Sequence, residues 1–172
     1  MKKINVFEYA PQIMQALGKG GLFLNSKLGD KINSMTIGWG SLSIYWAMQV
    51  FIAPVRLSRF THHMIEGSGV FTVSVPLDGA LRKELGICGS KSGRDTDKFE
   101  ECNFTAVDGQ MVDCPIIGEA QLHIECEVVA ADTMDASKMN EDIVDKMYSG
   151  DYEDGDYHTL YFGKIVAAYI LE

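Results

Sequence analysis

The sequence predicts a mainly β fold, an antiparallel barrel carrying short helices, on three observations. Several segments alternate apolar and polar residues with the period of two of a strand that buries one face. A long segment near the end, "HTLYFGKIVAAYIL", is aromatic and β-branched and apolar on both faces, as a barrel interior or a subunit contact requires. The helical candidates are short, and they do not alternate with strands in the regular way that builds a parallel sheet. With 172 residues, 47% of them hydrophobic, and neither a repeat nor a linker, the chain is expected to be one domain with a sizeable core.

In chain order, "LFLNSKLGDKINSMTIGW" reads as a hairpin, two strands joined at Leu28 to Lys31 where Gly29-Asp30 supplies the turn. A helix is expected at Thr61 to Glu66. "VFTVSVP" alternates Phe71, Val73 and Val75 against Thr72 and Ser74 and is stopped by Pro76. Helices follow at Asp78 to Gly86, with Asp78 as N-cap, and at Thr96 to Cys102. "AQLHIECEVVA" puts Ala120, Leu122, Ile124, Cys126 and Val128 on a buried face. Gln121, His123, Glu125 and Glu127 fall on the other, which this pattern expects to be wet. A last helix is expected at Asn140 to Tyr148 before the C-terminal strand.

Composition removes several classes of function. The net charge of −9 leaves no surface-wide positive field for a nucleic-acid backbone, so an anion has to be caught by a local basic cluster. "MKKINVFEYAPQ" lacks the unbroken apolar stretch of a signal peptide. The longest apolar run, Ile44 to Val55, is broken by Gln49 and Pro54 and is far short of the roughly 20 residues that span a bilayer. A cytoplasmic protein without membrane or nucleic-acid partners is expected. Cys88, Cys102, Cys114 and Cys126 form no C-x-x-C pair and are expected to be reduced, mostly buried thiols, although spacing alone does not exclude a disulfide.

Neither a phosphate loop nor a G-x-G-x-x-G fingerprint is present. "DYEDGDY", Asp151 to Tyr157, does not place carboxylates at calcium-loop positions and reads as a solvated acidic loop. His62 and His63 are adjacent, so on a helix they diverge by about 100 degrees and do not share a metal; they read as surface residues early in the helix, and no metal site is expected. No G-x-S-x-G supports a serine nucleophile.

Two polar segments suit an anion, though each also fits a solvated loop. In "VRLSRFTHHMIEGSG", Arg56, Ser58, Arg59 and Thr61 gather guanidinium forks and hydroxyls before a helix expected to start near His62. In "CGSKSGRDTDKF", Ser90, Ser92, Gly93, Arg94 and Lys98 surround a glycine that permits close backbone approach. A third, "NSMTIGWGSLSIYW", joins Gly38, Gly40 and Ser41 to Met35, Trp39 and Trp46. There a flat ring fits against backbone groups, or the residues form a core strand with a bulge.

These three segments and "HTLYFGKIV", in this order and spacing, resemble the flavin reductase-like family of FMN-binding split barrels, most closely its flavoredoxin branch. The likeness runs from about Gly20 to the C-terminus. It implies a homodimer of six-stranded antiparallel split β-barrels with FMN at or near the subunit interface. It further implies Asn33, Met35, Thr36, Trp39, Gly40 and Ser41 around the isoalloxazine ring, and Arg56, Ser58 and Thr61 on the phosphate. Ser92, Gly93, Arg94 and Lys98 would complete the phosphate and ribityl side. His158 would lie near the flavin face where a nicotinamide docks, either orienting the donor or buffering a proton, or else serving only as a strand cap. Gly38 departs from the alanine or serine of many relatives. The implied function is an FMN-dependent oxidoreductase that takes hydride from NAD(P)H and passes electrons to a small-molecule or protein acceptor. The alternative is a flavoredoxin-type electron carrier without its own pyridine nucleotide site.

Overall fold

The computed structural model describes residues 1–77, 79–149 and 155–171. A short β1 (Lys2–Lys3) leads through a 3-10 turn at Val6–Tyr9 into α1 (Ala10–Lys19). The strands β2 (Leu22–Leu28), β3 (Lys31–Ile37), β4 (Ser41–Tyr45) and β5 (Met48–Arg56) follow. Next come α2 (Phe60–Ser68), β6 (Val70–Val75), α3 (Arg82–Ser90) and α4 (Lys98–Glu101). Two-residue strands β7 (Ala106–Val107) and β8 (Ile116–Ile117) pair with each other. The chain closes with β9 (Leu122–Thr133), α5 (Glu141–Tyr148) and β10 (His158–Ile170).

The main sheet runs in the order β3-β2-β6-β9-β10-β5-β4, with β1 added beside β10, and every pairing in it is antiparallel. It curls without closing: β3 and β4 are its two ends. This is the expected antiparallel split barrel with short helices, although its sheet has eight strands where six were expected, the short β1 among them; the β2–β3 hairpin turns where Gly29 takes φ 59. A second hairpin, β4–β5, was not foreseen. Its turn places Trp46 and Ala47 at φ 49 and 58, the mirror-image turn geometry that matches the twist of the strands it joins.

The core explains why the strands lie where they do. Leu22 and Leu24 of β2 point inward with Phe51, Val55, Phe71, Val73, Ile124, Cys126 and Tyr161, while Ile13 and Leu17 of α1 pack into the same cluster. Phe23, on the opposite face of β2, is buried beneath α3 and α4 with Leu85, Cys88, Phe99, Phe104 and Ile117. A strand covered on both sides carries apolar residues without alternation, as Leu22, Phe23 and Leu24 of β2 do.

β9 departs from its sequence pattern. Its supposed wet face is dry at His123 and Glu125, both 0% exposed, because the 108–120 segment lies over it. The Glu125 carboxylate accepts the backbone N–H groups of Gln110, Met111 and Val112 at 2.7, 2.7 and 3.0 Å and the Tyr169 hydroxyl at 2.7 Å. His123 Nε2–H donates to Ala120 O at 3.0 Å, and Nδ1 meets Ser74 Oγ at 3.1 Å. Burial pushes its pKa down to about 4. Buried charges and polar groups persist only when paired in this way.

The helix expected at 78–86 instead spans Arg82–Ser90, and its proposed N-cap, Asp78, lies outside the described residues. The N-cap of α4 is Asp97, whose Oδ1 accepts from Phe99 N and Glu100 N. Asn140 caps α5 through Asp142 N. α1 was not anticipated. All four cysteines are free, three of them buried and Cys102 half-buried. No described helix is long and apolar enough to cross a membrane.

Candidate functional site

Two adjoining clefts open where β3, the start of α2, the α3–α4 loop and the start of β10 meet. The first is lined by Asn33, Met35 and Thr36 from β3, by Ser58, Arg59, Phe60 and Thr61 at the α2 N-terminus, and by residues of 88–98 that include Ser92, Gly93, Arg94 and Lys98. The second is lined by Met35, Thr36, Ile37, Gly38, Trp39, Pro54, Arg56, Arg59 and His158. Met35, Thr36 and Arg59 belong to both.

The first cleft is polar and cationic. α2 begins one residue earlier than expected, and its N-cap Arg59 leaves the first-turn N–H groups unsatisfied by any capping side chain, the arrangement that favours an anion. Asn33, 2% exposed, donates Nδ2–H to Thr61 Oγ1 at 2.9 Å and so ties β3 to α2. Its Oδ1 abuts Gly93, where an added Cβ would sit 2.1 Å away, so the loop approaches β3 this closely only through glycine. Arg94 donates to Ser58 O at 3.0 Å and lies over the Phe60 ring. Lys98, 4% exposed, donates to Cys88 O at 3.0 Å, and burial lowers its pKa. The same burial pushes the Cys88 thiol up to about 12, which leaves it protonated and a poor nucleophile.

The second cleft is flatter and more aromatic. The Trp39 and His158 rings lie 4.7 Å apart at 39°, and Gly38 offers open space where an added Cβ would meet nothing within 4 Å. β10 pairs with β5 so that His158 lies opposite Arg56. Burial first, and the Arg56 charge second, lower the His158 pKa to about 4, so the imidazole is neutral at pH 7.

Arg56 lines only the second cleft. It is 8% exposed and donates Nη1–H to Asp156 O at 3.0 Å and Nη2–H to Met147 O at 2.6 Å, with its guanidinium over the Tyr148 ring. Ser58, although it borders the first cleft, donates both its N–H and its hydroxyl to the Asp156 carboxylate at 2.8 Å. The anion that Ser58 holds is thus the protein's own carboxylate, while Arg56 bonds two backbone carbonyls and lies 3.8 Å from that carboxylate. Asp156 is 8% exposed, which corrects the expectation of a solvated acidic loop there; residues 151–154 lie outside the described residues.

Arg59 belongs to the anion-suited segment of the sequence but not to the phosphate set that the family resemblance implies. Only the fold shows that it lines both clefts, and among the described residues its side chain makes no hydrogen bond or ion pair. Gly40 and Ser41 line neither cleft. Gly40 sits at φ 158, where an added Cβ would meet Ile52 O at 3.0 Å and the Phe51 ring at 3.3 Å, and the Ser41 hydroxyl pairs with Ser43. His62 is half-buried and bonded to Thr159 at 3.0 Å rather than on the surface, whereas His63 is exposed. Among the described residues no cluster of His, Cys, Asp or Glu could hold a metal ion.

The donor set fits a phosphate joined to a flat ring: hydroxyls, cations and helix N–H groups on one side, open space beside Trp39 on the other. Comparison with known proteins identifies the family. The chain is 29% identical over 163 residues to an uncharacterised protein of Archaeoglobus fulgidus, covering 95% of this chain and 75% of that one. In structure it is similar to the flavoredoxin of Desulfovibrio vulgaris (Miyazaki F), with TM-score 0.69 and 22% identity over 88% of this chain and 69% of that one. The flavoredoxin of Methanosarcina acetivorans gives TM-score 0.67 and 25% identity, covering 89% and 69%. An NADH:FAD oxidoreductase of Streptomyces globisporus C-1027 gives 0.64 and 19%, covering 88% and 76%. Residues 25–172 match the family described as flavin reductase like domain. Fold, clefts and sequence match converge, and the chain belongs to the flavin reductase-like family.

Proposed function

We propose that the protein is an FMN-binding oxidoreductase, with the FMN phosphate in the first cleft and the isoalloxazine ring in the second. The observation that carries this reading is the continuity of the two clefts through Met35, Thr36 and Arg59. Arg59, Arg94, Lys98, Thr61, Ser92 and the α2 N-terminus would hold the phosphate, with Asn33 and Gly93 shaping the passage between phosphate and ring. Met35, Thr36, Gly38 and Trp39 would border the ring. FMN, when bound, supplies the two-electron chemistry; the chain's residues bind it, orient it and limit water around it. His158, neutral and beside the ring cleft, would orient a hydride donor such as NAD(P)H rather than carry charge to it.

The similarity to two flavoredoxins supports a second reading, an electron carrier that exchanges electrons with a redox protein and has no pyridine nucleotide site. Anaerobic mixing of FMN-loaded protein with NADH or NADPH separates the two. Bleaching of the flavin band supports the oxidoreductase, and no bleaching with either donor supports the carrier. Protein that is colourless and cannot be reconstituted with FMN sinks both.

We further propose a homodimer. Ile44 and Tyr45 of the end strand β4, Trp46 in its turn and Trp39 just before it are 61, 43, 60 and 40% exposed, an apolar surface at a sheet edge that a second copy would cover. Light scattering that gives a monomer across the micromolar range would refute it.

A further inference from the structure

His158 has a partner that neither the sequence motifs nor the proposed flavin site assigns. Its Nδ1 lies 2.8 Å from the hydroxyl of Tyr148, the last residue of α5, and the two rings meet edge-on at 5.6 Å and 79°. We propose, on the reading that the second cleft takes the flavin ring, that Tyr148 is a positioning residue: its hydroxyl donates to Nδ1, fixes His158 as the Nε2–H tautomer, and leaves that N–H as a donor to the ligand.

The chemistry of the alternatives decides the direction of this bond. The Tyr148 hydroxyl also lies 3.2 Å from Met134 Sδ, but a thioether is a weak acceptor and a neutral imidazole nitrogen a strong one. The proton therefore goes to Nδ1. Burial raises the Tyr148 pKa, so the hydroxyl keeps its proton. With Nδ1 an acceptor, Nε2 must carry the ring proton, and among the described residues Nε2 has no partner. The Trp39 ring, 4.7 Å away and tilted by 39°, bounds the imidazole on one side.

Tyr148 is held in turn. Arg56 lies 4.9 Å from its ring and takes the carbonyl of Met147, the residue before it. Arg56 also grips Asp156, two residues before His158. The arginine expected on a phosphate thus braces the segment that sets the histidine. The charged groups facing His158 are Arg56, Arg59 and Asp156; both arginines favour the neutral ring and Asp156 opposes it. A neutral N–H donor suits an acceptor atom, a carbonyl oxygen or an unprotonated ring nitrogen, on the molecule in the cleft.

The test is the tautomer itself, read by long-range proton–nitrogen correlation on histidine-labelled protein at neutral pH, before and after addition of FMN. His158→Gln identifies the signals among those of the four histidines. The wild-type protein should show a single Nε2–H tautomer at His158. Tyr148→Phe, which keeps the ring under Arg56, should give a mixture of tautomers and move the His158 titration upward, toward the ordinary histidine value. Met134→Leu should change neither. An Nδ1–H tautomer in the wild type overturns the proposal, and that reading needs no variant to fold. So does an unchanged tautomer in Tyr148→Phe, or a change in Met134→Leu. Failure to bind FMN would sink the functional reading while leaving the tautomer of the ligand-free protein as a separate result.

Discussion

The 56–59 and 92–98 segments have nearly the same chemistry, arginine, serine and a second cation, yet the fold uses them in opposite ways. In 92–98, Ser92, Gly93, Arg94 and Lys98 all line the first cleft. In 56–59, Arg56 and Ser58 border one cleft each but spend their donors on Asp156 and the end of α5, and Arg59 alone lines both clefts. The difference arises because β5 and β10 pair at Arg56–His158, which brings the stretch just before β10, with its carboxylate, over the last turn of β5. A guanidinium buried there has to be satisfied on the spot. Similar composition is therefore a guide to capability and not to use.

The comparison breaks first at Arg56. Arg56→Ala should leave the carbonyls of Asp156 and Met147 without their donor and remove the cation 3.8 Å from the buried Asp156 carboxylate, costing roughly 3 kcal/mol of stability in denaturant titration, while the ratio of FMN to riboflavin affinity stays near the wild-type value. A selective loss of FMN binding would return Arg56 to the phosphate. Arg59→Ala should do the reverse. It should leave stability within about 0.5 kcal/mol and weaken FMN, but not riboflavin, by roughly 10- to 100-fold, as expected for one charge-assisted contact of about 1.5–3 kcal/mol. Calorimetry with both ligands reads it, and equal losses for the two would refute the assignment.

Ser58→Ala removes the hydroxyl but keeps the backbone N–H to Asp156, so thermal unfolding should show a cost of about 1–1.5 kcal/mol. Acid should act through two buried histidines. His123 and His158 have pKa values near 4 in the fold against about 6.5 when unfolded. Their contribution to stability is complete above pH 6.5 and is lost as pH falls toward 4, because the unfolded chain binds the protons first. His158→Gln should flatten part of that slope, and a slope unchanged by it would show that the histidine is not buried neutral. The smallest effect belongs to Gly38→Ala. With open space around it, stability should stay within about 0.5 kcal/mol, and any change should appear in the flavin spectrum, where the methyl would border the ring.

Much of the fold was legible because local chemistry settles it. The alternation of β6, the Gly29 turn between β2 and β3, and the short helix α5 are each decided within a few residues. The α2 helix was found but begins at Phe60 rather than near His62. Features that depend on a distant neighbour were not legible. His123 and Glu125 look like solvated residues until the 108–120 segment covers them. The start of α3 shifted to Arg82, and Leu81, at φ 58, precedes it in a conformation that no sequence signal announced.

In the candidate site the same division holds. The sequence by itself determined the inventory: which short segments carry the glycines, hydroxyls, cations and aromatic rings, and that their order matches a flavin-binding family. The tertiary structure alone decided orientation. It sent Arg56 inward and left Arg59 between the clefts, excluded Gly40 and Ser41 from both, and set Tyr148 against His158. The reason is physical: residue type fixes what a side chain can donate or accept, but its partner is set by strand register and burial, which couple residues such as Arg56 and Asp156 that are far apart in the chain.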